Sequence, residues 1–66
     1  MQIQINGQAH TCADACHLED IVLQLGYEGK RIAIERNGEI VPRSQYAHTV
    51  LNDGDVLELV VAVGGG

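Results

Sequence analysis

Three groups of residues in this 66-residue chain are of types that do chemistry. The first is Gly64-Gly65-Gly66 with the terminal α-carboxylate. A carboxylate with a pKa of about 3.5 is ionised at neutral pH and does not accept a nucleophile. Converted to an acyl-adenylate, it gains a good leaving group. Glycine has no Cβ, so an arm of glycines fits a channel too narrow for other residues. The arm itself supplies no base, oxyanion hole or metal, so a partner's active site must provide them. The plain alternative is a chain end that frays. The second group is His10, Cys12, Cys16 and His17. Four nitrogen and sulfur ligands suit zinc, but the spacing Cys12-x3-Cys16 is not of the C-x2-C kind and no second ligand pair follows at a distance. The expectation is no metal site, and instead two partly buried thiols and two solvated imidazoles. A Cys/His nucleophilic pair needs an orienting third group and a pocket, and nothing in the sequence provides either. His48 is read as solvated. The third group, Lys30, Arg31, Arg36 and Arg43, is too sparse for a basic patch. It is read as surface solubility, with Arg43 a candidate partner contact.

The composition narrows the classes further. Nine acidic residues face four basic ones, a net charge of −5. That argues against nucleic acid, which needs clustered Lys and Arg, and against an anionic membrane surface. It suits a partner with a basic docking groove. With no Trp or Phe and two Tyr, the core must be aliphatic. A chain this short buries about 60% of its unfolded surface, leaving little room for an enclosed cleft. The expectation is a carrier or binding module rather than an enzyme, with no bound cofactor. The longest apolar run, Leu59 to Val63, is too short to cross a bilayer. Met1 runs straight into Gln2-Ile3-Gln4-Ile5 without a secretory leader. Two cysteines in such a chain are expected as reduced thiols in the cytoplasm.

The elements that must position these groups follow from periodicity. Ile3 and Ile5 alternate with Gln2 and Gln4 in a half-buried strand. Asn6-Gly7 is a hairpin turn, with Gln8 to Cys12 returning. Leu18, Ile21, Val22 and Leu25 form one apolar helical stripe, with Leu23 partly exposed. Asp14, Cys16 or His17 is the N-cap, and Gly26 ends the helix. Ile32-Ala33-Ile34-Glu35 is a strand, Asn37-Gly38 a second hairpin turn and Glu39-Ile40-Val41 a short return. Pro42 keeps that return out of the sheet centre. Ser44 to Thr49 reads as one helical turn capped by Ser44, and Asn52-Asp53-Gly54-Asp55 as a tight turn. The last strand spans Val56 to Val63. Its apolar end, Leu59 to Val63, reads as buried on both faces and therefore central. The first and last strands should pair. By parity, Leu57, Leu59, Val61 and Val63 face the helix, and Val56, Glu58, Val60 and Ala62 face away. Val60 and Ala62, with Ala33 beside them, form a small apolar patch that is a candidate docking site. The expected architecture is α+β: a mixed sheet of four to five strands on one helix, spanning 1–63, with a flexible glycine tail at 64–66.

This order of elements, ending in glycines, resembles the ubiquitin-like β-grasp fold. The stretches Ile34-Glu35-Arg36-Asn37-Gly38-Glu39-Ile40-Val41-Pro42-Arg43, Asp53-Gly54-Asp55 and Val63-Gly64-Gly65-Gly66 make the whole chain similar to the ThiS sulfur carriers of thiamin biosynthesis. The resemblance implies that a ubiquitin-activating-like enzyme uses ATP to adenylate the carboxylate of Gly66. Persulfide sulfur from a cysteine desulfurase or other donor then displaces AMP, and the resulting thiocarboxylate serves thiazole synthase. It makes Gly64 and Gly65 the tail that threads the partner. His17 stands where many relatives have Thr, which touches only helix capping. The neighbouring expectations are a related carrier for molybdopterin or tRNA thiolation, or a ubiquitin-like module with an inert tail.

Overall fold

A computed structural model of the protein describes residues 1–62. Five strands and one helix follow in the order β1 (Gln2–Ile5), β2 (Gln8–Thr11), α1 (Leu18–Gln24), β3 (Ile32–Arg36), β4 (Glu39–Val41) and β5 (Val56–Val61), with a 3-10 turn at Arg43–His48 before β5. The sheet order is β2-β1-β5-β3-β4. β1 and β5 run parallel beside each other at its centre, as their apolar character requires, and the other pairs are antiparallel.

Local chemistry sets each connection. Asn6 (φ 51°) with Gly7 and Asn37 (φ 52°) with Gly38 occupy the left-handed region that a two-residue hairpin turn demands. The helix starts at His17, the N-cap, whose N–H donates to Asp20 Oδ2 at 2.9 Å. Its end is a Schellman closure in which Tyr27 N–H donates to Val22 O at 3.0 Å and Gly26 N–H to Leu23 O at 3.1 Å. Leu18, Ile21 and Val22 are buried and Leu23 is about half exposed. They pack with Ile3, Ile5, Ile34, Leu51, Leu57 and Leu59 in one core between helix and sheet. Pro42 leaves β4 at the sheet edge.

Three expectations need correction. Pro42, not Ser44, is the N-cap of the 3-10 turn, because its fixed φ of −62° already sets the entry. Thr49 closes that turn with its hydroxyl on Gln45 O at 2.7 Å. β5 is central but not buried on both faces: Val60 is 62% exposed. The sheet has a single helix, so only one face is covered. Nor does that cover extend to Val61, which is 36% exposed although it shares the parity of Leu57 and Leu59. A seven-residue helix is about 10 Å long, roughly half the length of the six-residue strand it lies against. Val63, also expected to face the helix, lies outside the described residues, as do Gly64, Gly65 and Gly66 and with them the domain boundary at 63.

Candidate functional site

The site begins with how β5 is held. β3 pairs with it from Arg36↔Leu57 to Ile32↔Val61, and Ala62 N–H extends the contact to Arg31 O at 2.8 Å. On its other side β1 pairs at only two positions, Gln4↔Val56 and Ile5↔Leu57. Asn6 continues that seam with its side chain: Oδ1 accepts from Leu59 N–H at 2.8 Å and Nδ2 donates to Leu59 O at 3.2 Å. The first hairpin's turn residue therefore also ties β5.

The second hairpin holds the start of β5. Asn37 Oδ1 accepts from Val56 N–H at 2.9 Å, and Asn37 N–H donates to Val56 O at 2.8 Å. Its amide Nδ2 donates to Asp55 Oδ1 at 3.0 Å. Asp55 is buried, at 6% exposure, and also accepts from Arg36 Nε at 2.9 Å and from Asn52 N–H at 2.8 Å. Burial pushes its carboxyl pKa up. The hydrogen bonds from Asn52, Asn37 and Arg36, with the guanidinium charge, outweigh that and hold it below the ordinary carboxylate value. Arg36, read from sequence as a solubility residue, is thus a structural cation, with Nη2 also donating to Val50 O at 3.2 Å. The sequence reading missed this hub. Its only signal was an arginine-asparagine pair in one turn and an aspartate closing another, 18 residues on.

The patch residues come together as parity demanded. Ala33 and Val60 are register partners, Ala62 follows at the end of β5, and all three are exposed. Val56 and Ile40, 38% and 66% exposed, extend the apolar surface on the same face. Next along the sheet, Glu35 and Glu58 stand directly opposite each other, with Ile40 opposite Glu35 on its other side.

The cysteine and histidine group does not assemble. Among the described residues no three His, Cys, Asp or Glu side chains converge as metal ligands. Cys12 and Cys16 are free, and both are fully rather than partly buried. Burial, then the neighbouring Cys12 and Asp20, push the Cys16 thiol up, which keeps it protonated and a poor nucleophile. His10 and His17 are half-buried and His48 is exposed. A cleft of about 170 Å³ lies on the helix side, lined by Val22, Tyr27, Lys30, Ile32, Arg43 and Tyr46. It thus includes Arg43 but none of the patch residues. No described helix is long and apolar enough to cross a membrane.

A five-stranded mixed sheet in this order, with one helix across one face, defines a ubiquitin-like β-grasp domain. Its nearest geometry among the solved structures compared is typified by the ThiS thiamine biosynthesis protein of Geobacter metallireducens, at a TM-score of 0.84 and 28% identity, with all of both chains covered. The chain belongs to the ThiS family, whose model matches residues 3–66. It is 36% identical over 66 residues to the sulfur carrier protein ThiS of Escherichia coli, again with both chains covered completely. It is 42% identical over its whole length to a thiazole synthase of Paramagnetospirillum magneticum, of which it spans 20%.

Proposed function

We propose that this chain is a sulfur carrier for thiamine biosynthesis and that the carboxylate of Gly66 is its working group. In this reading a ubiquitin-activating-like enzyme joins the carboxylate to the AMP moiety of ATP and releases pyrophosphate. A persulfide on a cysteine desulfurase or other donor attacks the carbonyl and expels AMP, forming an acyl disulfide. A second thiol cleaves the S–S bond, which leaves a thiocarboxylate on Gly66 and a disulfide on the donor. Thiazole synthase then takes the sulfur for the thiazole ring. The carrier contributes reach and docking and is not itself the enzyme. ATP is bound by the activating partner, and the carrier holds no cofactor of its own.

The observation that carries the reading is the pairing of a firmly held central strand with the sequence that continues it. β5 is tied through Ala62 and runs into Val63-Gly64-Gly65-Gly66, with the exposed Ala33, Val60 and Ala62 beside that exit. Full-length relatives named as sulfur carriers support the class. The relative named thiazole synthase, matched over this whole chain, favours the thiazole pathway over molybdopterin or tRNA thiolation.

Intact mass after incubation with the activating enzyme, ATP and a persulfide source tests it. One oxygen at Gly66 is expected to be replaced by sulfur. A chain lacking Gly65 and Gly66 is expected to fold as before and to support no ATP–pyrophosphate exchange. Its carboxylate falls short by two extended residues, about 7 Å. Sulfur found only on Cys12 or Cys16, or full-rate exchange by the truncated chain, overturns the assignment.

A further inference from the structure

On the uncovered face of the sheet, Glu35 and Glu58 are direct cross-strand partners. Like charges placed so are destabilising. Neither takes part in an ion pair among the described residues. Arg36 next to Glu35 is committed to Asp55. Arg31 precedes Glu35 by four positions, about 13 Å of extended chain, too far for a direct pair. Around the two carboxylates stand Ala33, Val60, Ile40 and Val56, all exposed. A partner that covers the apolar residues must also cover the acids. Covering them without a counter-charge would strand two carboxylates away from water, at a cost larger than the apolar contact returns.

We infer that this face docks on the activating enzyme through a guanidinium or ammonium group that enters between Glu35 and Glu58, with apolar side chains around it on Ala33, Val56 and Val60. The inference rests on the carrier reading above and assigns the chemistry of its first partner. The activating enzyme is the occupant because its site must hold ATP phosphates next to a carboxylate. Such a site is necessarily cationic, and a cationic docking surface is continuous with it. The like-charge pair is then a specificity device. It weakens the free carrier slightly and is relieved only by a surface of the right sign.

The test is a pair of measurements on Glu35→Gln/Glu58→Gln in the full chain: the thermal melt, and the Kd for the activating enzyme at low and high salt. The melt is expected to be unchanged or raised, because a repulsion is gone. Binding is expected to weaken by about tenfold or more, with a shallower salt dependence. Glu58→Arg, which creates an internal pair with Glu35, is expected to melt higher still and bind worst. A double variant that binds as tightly as the parent, with the parent's salt dependence, overturns the inference while sulfur transfer to the parent's Gly66 leaves the carrier reading standing. Weakened binding to thiazole synthase alone overturns the choice of partner. A parent chain that neither binds the activating enzyme nor gains sulfur overturns both.

Discussion

The two faces of β5 alternate residue by residue and yet obey different rules. Leu57 and Leu59 point under the helix and are buried, Leu57 completely. Val56, Glu58 and Val60 point the other way into solvent. The side chains are of similar kind, with Leu or Val on both faces. What separates them is whether anything covers the face. The inner face is defined by packing inside the chain. The outer face keeps an apolar surface that the fold does not use, with two acids the fold would be better without. A residue on the first face answers to stability, and one on the second answers to a partner.

The comparison can be broken or sharpened by substitution. The largest effect is expected from Leu57→Ala, which removes a fully buried side chain beside Ile34 and Leu18. It should cost about 2–5 kcal/mol by chemical denaturation, and an exposed-like response of a few tenths would abolish the inner-face assignment.

Asp55→Ala comes next. It leaves Asn52 N–H, Asn37 Nδ2 and Arg36 without their acceptor and should cost about 1–3 kcal/mol. Asp55 also carries a pH signature. Its folded pKa lies below the unfolded value, so its contribution is complete above the ordinary carboxylate pKa of 3.8 and is lost as pH falls through the folded value. The melting temperature of Asp55→Asn should therefore fall less steeply on acidification than that of the parent. Parallel acid limbs would remove Asp55 from the network.

The smallest effect on the fold is expected on the outer face. Val60→Asp should shift stability by about 0.5 kcal/mol or less. It should nevertheless weaken docking on the activating enzyme, measured as Kd alongside the melt. A melt resembling that of Leu57→Ala would mean a one-residue slip in register, since such a slip exchanges the two faces.

Much of this was legible in the sequence because it depends on neighbours a few positions apart. Ile3 and Ile5, the stripe Leu18-Ile21-Val22 and the two Asn-Gly turns state their own geometry. Strand parity placed Ala33, Val60 and Ala62 on one face without any structure. The rest depends on separations that periodicity does not encode. Nothing near Asp55 announces that Arg36 and Asn37 reach it from 19 and 18 residues away. The Glu35–Glu58 pair exists only once the register of β3 on β5 is fixed. The apolar run Leu59 to Val63 suggested burial on both faces because continuous hydrophobicity is read as cover. A chain with one short helix has cover for one side only, and Val60 on the other side signals a partner rather than a core.

The two asparagine clasps on β5 have a mechanical consequence. A partner that draws on the chain beyond Ala62 pulls along the strand axis. The bonds to β3, the short ladder to β1 and the clasps at Leu59 and Val56 lie across that axis, so they share the load together instead of parting one after another. Tension at the reactive end is thus spread through the sheet. A handle can be tugged repeatedly between enzymes while the body stays folded.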